Sequence, residues 1–234
     1  MSKINRALRL YIKAAANPFL IGFALLMMFG MSLAFLVVPA PAGSKEYLSM
    51  LEAIQMGNVG AVCLIVFANT KIQQNKFFCS CSCAKELYIY GPIVVTAVLN
   101  ILYDTVLTVS AYINLGTEGL ADLLIFNTVS SMLLIIVCGC HGKKGVPFIT
   151  LIQSAAYLAF ILFPIILKSA LNLQTALKAV LGLPLITAVI INLGGYILAV
   201  TVTVAIEKYW WNQGDKYLLP SPAIMKAFGG LEHE

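Results

Sequence analysis

From Pro18 to Ala40 the chain runs for 23 residues without a charged side chain. Five further apolar stretches follow, Ile54 to Asn69, Gly91 to Ile113, Leu123 to Cys140, Val146 to Leu167 and Ala179 to Ile206. A helix needs about 20 such residues to cross a bilayer, whereas a membrane β-strand alternates over about ten. In hydrocarbon every backbone amide must bond within its own segment, which a helix does. The expected fold is therefore all-α, a polytopic integral membrane protein with six transmembrane helices. Composition agrees, because 60% of the 234 residues are hydrophobic and only 11% charged, against about 45–50% and 25% in soluble domains. The first stretch is too long for the apolar region of a signal peptide and is expected to stay. The last is long enough to tilt or break near Gly182 and Pro184.

Basic residues near span ends resist translocation and so orient the spans. With the amino terminus inside, twelve of the 15 fall in the cytoplasm: Lys3, Arg6, Arg9, Lys13, Lys71, Lys76, Lys85, Lys143, Lys144, Lys208, Lys216 and Lys226. Lys45, Lys168 and Lys178 fall outside. The expectation is a multi-pass protein of the plasma (inner) membrane with both termini cytoplasmic. The net charge of +5 is then a matter of topology, and nucleic acid is not an expected partner.

Three regions follow: a cytoplasmic amphipathic helix over 1–17, a membrane domain over 18–206 with a cytoplasmic loop at 70–90, and a cytoplasmic tail over 207–234. At 100° per residue, Ile4, Leu8, Tyr11, Ile12 and Ala15 share one face and Arg6, Arg9 and Lys13 the other. Such a helix suits the plane of an anionic leaflet, a membrane-surface role for those three cations. Asn17-Pro18 gives the turn into the first span. Outside, residues 168–178 suit a short interfacial or re-entrant helix, and Tyr209, Trp210 and Trp211 suit the headgroup level.

Two constellations bear on chemistry. In the third span Thr96, Asn100, Asp104, Thr108 and Tyr112 recur every four residues, a polar stripe that drifts about 40° per step on a 3.6-residue turn. Asp104 at mid-span costs at least about 2.5–3.5 kcal/mol unless it meets water or a partner. Either the stripe lines a transport pathway, or it bonds to Asn127 and Ser130 on the next span or Asn192 on the last. The second constellation is cytoplasmic: Cys79, Cys81, Cys83, Cys138 and Cys140, with His141. Thiolates and imidazole suit zinc or copper, but cysteines one residue apart are closer than zinc pairs usually stand, and no metal site is assigned. The chain has no phosphate loop, no H-E-x-x-H and no candidate catalytic triad, so it is not expected to be an enzyme or to hydrolyse ATP itself.

The loop Phe78-Cys79-Ser80-Cys81-Ser82-Cys83-Ala84-Lys85 lies after the second span. In layout, and at Phe78, Ser80 and Lys85, the chain resembles the transmembrane subunits of ATP-binding-cassette type 2 transporters, whose loop often reads Phe-x-Ser-Leu-Pro-[Val/Ile]-Ser-[Arg/Lys]. Ser82 stands where that pattern has proline, and Cys81, Cys83 and Ala84 replace its other neighbours. The resemblance implies a permease working as a homo- or heterodimer with the substrate path between its halves. It also implies a separate ATP-binding subunit that carries ATP and Mg²⁺ and docks on the cytoplasmic loops; no cofactor is expected in this chain. Physically, Phe77, Phe78, Tyr88 and Tyr90, rimmed by Lys76, Lys85 and Glu86, suit such docking. The expectation is a permease subunit of an ATP-driven exporter, with docking through Phe77, Phe78, Ser80, Lys85, Glu86 and Tyr88. Its transport pathway runs along Thr96, Asn100, Asp104 and Thr108. Two alternatives share the layout: the solute-binding membrane subunit of a vitamin or metal importer, and a small membrane-embedded enzyme or assembly factor using Asp104.

Overall fold

A computed structural model describes residues 2–37, 45–140, 155–156, 158–159, 162 and 183–212. Among these residues the regular structure is helical throughout: α1 Lys3–Ala15, α2 Pro18–Val37, α3 Lys45–Gln74, α4 Lys76–Ser80, α5 Ala84–Gly139 and α6 Leu185–Trp211. Three segments are long and apolar enough to cross a membrane, namely the two arms of α5, Ala84–Asn114 and Gly119–Gly139, and Leu185–Tyr209 of α6. A bent pair, Lys3–Ala15 with Pro18–Gly30, passes the same test jointly. The chain is thus a helical protein of membrane-spanning character. The expected fifth span falls almost wholly outside the described residues, as do the 168–178 segment, His141 and the tail beyond residue 212.

Local chemistry sets the element boundaries. Between α1 and α2 the axis turns by 90°. Asn17 makes that corner, its Oδ1 accepting from the backbone N–H groups of Phe19 and Leu20 at 3.1 and 3.3 Å. Pro18 follows as the first residue of α2, where its missing N–H leaves no bond unmade. The expected second span, 54–69, lies inside the longer α3, whose apolar part is Gly57–Ile72. The arms of α5 reverse direction at Gly116, with φ 65° and ψ −159°. That region is essentially reserved for glycine, because a Cβ would meet the chain's own backbone. No break falls within α6: the helix starts directly after Pro184, whose carbonyl accepts from the Ala188 N–H at 3.1 Å.

Packing puts small residues where helices cross. A Cβ on Gly60 of α3 would stand 2.8 Å from the Ala24 Cα of α2, and one on Gly139 of α5 would stand 2.5 Å from Thr203 Cγ2 of α6. Close backbone approach matters here, since lipid is as apolar as leucine and burial alone does not drive helix association. One core cluster, with Ala7, Tyr11, Ile65, Ile72, Leu87 and Val137, lies at the end of the bundle that carries α1 and α4. Another, with Met28, Tyr103, Leu107, Leu123 and Phe126, lies toward the Gly116 turn. The face of α6 with Ile186, Ile190, Leu193 and Ile197 is exposed among the described residues, as a lipid-facing stripe would be.

Contacts between the helices gather the cations at one end. Arg6 reaches Ser82, and Lys208 Nζ lies 5.4 Å from the Tyr90 ring centroid. Lys3, Arg9 and Lys13 share α1 with Arg6, while Lys71 and Lys85 flank α4. Lys45 opens α3 some 30 residues away, at the other end.

Candidate functional site

The third-span stripe resolves into an intramembrane polar centre. Thr96, Asn100 and Asp104 are buried, Thr108 is half-buried and Tyr112 is 56% exposed. This is the expected drift of a four-residue repeat off a 3.6-residue turn. Asp104 accepts hydrogen bonds from Asn127 Nδ2 on the second arm of α5 and from the Tyr196 hydroxyl of α6. Tyr196 also lies 3.2 Å from Ser131 Oγ. The carboxylate therefore faces two neutral donors, and no lysine or arginine occurs within these three apolar segments between Glu86 and Glu207.

The other expected partners bind elsewhere. Asn192 donates to Thr128 Oγ1 at 3.0 Å and to the Leu124 carbonyl at 3.4 Å, stitching α6 to α5. Ser130 receives Asn58 Nδ2 of α3 at 3.3 Å. Tyr196 was not among the expected residues. Its signal was present, because it lies four residues after Asn192 and so on the same helical face. A tyrosine in an apolar run reads as core, however, until its hydroxyl is placed.

A second assembly sits at the cationic end. Asn75 caps α4 by accepting from the Phe77 N–H at 2.9 Å, and Ser80 Oγ donates to the Phe77 carbonyl at 3.2 Å. The turn Cys81-Ser82-Cys83 then leads into α5, with Cys81 and Cys83 sulfurs 3.7 Å apart and the Leu87 N–H bonded to the Cys83 carbonyl at 2.8 Å. Burial, then the hydrogen bond with Cys81, holds the Cys83 thiol above its ordinary pKa. Phe77 is 63% exposed with its ring edge-on to the half-buried Phe78, and Ser80 and Lys85 are exposed. Glu86 is half-buried.

Tyr88 differs from the docking expectation. It is buried, donates to the Ile72 carbonyl at 3.1 Å and packs its ring 5.7 Å from that of Trp211. It braces the loop from beneath and presents no outer surface. Below it lies α1, and here too the structure differs from the sequence reading. The buried face is Ala7, Tyr11, Ala14 and Ala15, while Ile4 and Ile12 are exposed. The apolar arc is wide enough to divide, one flank meeting protein and the other left for the leaflet, with Arg6, Arg9 and Lys13 exposed beyond. Tyr11 donates to Asn69 Oδ1 at 2.6 Å, and Asn69 Nδ2 donates to the Cys138 carbonyl at 3.2 Å, joining α1, α3 and α5. Among the described residues no three His, Cys, Asp or Glu side chains gather as a metal site.

No protein-family model matches the chain, and neither a curated protein nor a solved structure is significantly similar to it.

Proposed function

We propose that this chain is the membrane-spanning subunit of a transporter driven by a separate ATPase, working as an exporter with six spans and both termini in the cytoplasm. One observation carries the reading: a short capped helix between two spans, α4, exposes Phe77 while its base is tied to three other helices. The turn after it bonds to Arg6 of α1 through Ser82, and Tyr88 at the start of α5 bonds to the Ile72 carbonyl of α3 and packs its ring against Trp211 of α6. Force applied to such a knob reaches the bundle, whereas a slack connector would absorb it. The half-buried Phe78 and the exposed Ser80 and Lys85 complete a surface for a soluble partner that binds ATP and Mg²⁺. The polar centre at Asp104 lies between α5 and α6, where a pathway for a polar substrate would need it. A second copy of the chain, or a similar one, completes the path.

The test is a photo-crosslinking residue placed at Phe77 in native membranes. The expected product contains a nucleotide-binding protein whose ATP hydrolysis rises when it is reconstituted with this chain. A cross-linked partner that binds no nucleotide, together with substrate flux by this chain alone without ATP, overturns the reading.

A further inference from the structure

Five polar side chains, all costly to bury, meet at two adjacent levels of the bundle. Asn127 bonds Asp104 across the α5 hairpin, which places the two at one level. One turn toward the cationic end, Asn100 lies below Asp104 on the first arm, and Ser130 lies below Asn127 on the second. Ser130 in turn receives Asn58 from α3. Three helical segments thus direct Asn58, Asn100, Asp104, Asn127 and Ser130 toward one region.

Their hydrogen bonds are incomplete, most often on the acceptor side. The side-chain oxygens of Asn58, Asn100 and Asn127 have no hydrogen-bond partner among the described residues, although all three residues are at most 1% exposed. Each such orphan costs about 1–3 kcal/mol. The group in excess is therefore the oxygen acceptor: three amide oxygens and a hydroxyl beside one carboxylate. The Asn100 amide nitrogen is also unmatched, as is the hydroxyl of Thr96 one turn away on the same face, a group that can accept from an amide N–H.

We infer that these five residues form a binding site for one small monovalent metal cation stripped of its water. Hard cations take oxygen ligands, and a single carboxylate neutralises a single positive charge. A divalent ion would leave a net charge in hydrocarbon, and an anion would be repelled by Asp104. The cation also relieves the cost of Asp104 itself, which otherwise faces only neutral donors. The site does not rest on the ATPase reading, and its test uses this chain alone, so failure here leaves the Phe77 cross-link unaffected.

The experiment measures ²²Na⁺ binding and the thermal unfolding midpoint of the purified full chain, with sodium, potassium or lithium replacing choline at constant ionic strength and pH. The expected result is saturable binding of about one ion per chain, and a midpoint that rises with one of these cations. Asn100→Ala should weaken binding at least about tenfold while raising the midpoint in choline, because it removes an unsatisfied amide. Asp104→Asn should abolish binding. If Asp104→Asn does not fold, Asn58→Ala provides the same reading through a neutral ligand. Absence of saturable binding for all three cations, with stability following pH alone, overturns the site in favour of a proton. Binding unchanged in both Asn100→Ala and Asn58→Ala overturns it as well.

Discussion

At the residue scale, burial of a polar group decides more than its identity. Among the described residues Tyr196 and Asn127 are the two donors to Asp104, so Tyr196→Phe leaves a buried carboxylate with one of them. A loss of about 1–3 kcal/mol is expected, read as a lower unfolding midpoint in detergent, because an unmade bond to a buried acceptor costs its desolvation. The thiols of the α4–α5 turn make a second case. Cys83 is fully buried, its pKa is raised, and its reaction with iodoacetamide at neutral pH should be much slower than that of an ordinary exposed thiol. Quantitative mass spectrometry of the alkylated peptide checks this, and rapid labelling at pH 7 contradicts it. Asp104 was legible in the sequence because a charge inside an apolar run is costly whatever surrounds it. Tyr196 was not, because only the packing of α6 on α5 shows which way its hydroxyl points.

The presence of the longer helices was legible where length and hydropathy suffice, their ends less so, as with α3, which begins at Lys45 where the expected span began at Ile54. The first helix was expected to suit the plane of the leaflet, and Tyr11 also ties it to Asn69 of α3. A Cβ on Gly91 would stand 2.5 Å from the Tyr11 ring, so α1 and α5 meet where only glycine fits, and that contact is invisible to helical periodicity. Burial, reinforced by Cys138, holds the Tyr11 hydroxyl proton well above its ordinary pKa near 10. The folded state therefore keeps a proton that the unfolded chain releases. This contribution to stability is fully present below about pH 10 and declines as pH rises toward the folded value. Tyr11→Phe should lose about 1–3 kcal/mol at neutral pH, because Asn69 Oδ1 loses its donor. It should also show a shallower decline between pH 10 and 11 than the native chain in parallel denaturation curves. At the opposite end, Gly116→Ala places a Cβ where nothing beyond the adjoining backbone crowds it, so its cost is conformational alone. About 1–3 kcal/mol is expected, and an unchanged midpoint would show that the turn has another backbone available.

Across the whole molecule, charge and contact point the same way by independent routes. The count of basic residues divides the loops into two sets, and the packing brings α1, α4, the start of α5 and the end of α6 together at one end. The three orphaned amides and Asp104 lie deeper, between that end and the Gly116 turn, so anything they bind must enter the bundle from one set of loops. The proposed sense of insertion rests on the cost of translocating Arg6, Arg9 and Lys13, which an anionic leaflet holds back. Single cysteines at Ser2, Thr117 and Asn212 test it, each scored by mass shift with a membrane-impermeant maleimide on intact cells and compared with the unsubstituted chain. Thr117→Cys should label from outside, while Ser2→Cys and Asn212→Cys should label only after the membrane is opened. Ser2 and Asn212 labelling together from outside would invert the molecule and put α4 beyond the reach of any cytoplasmic ATPase. Opposite results at Ser2 and Asn212 would instead require an odd number of crossings between them, and the segment between Cys140 and Leu183, expected to cross once, would then cross twice or not at all.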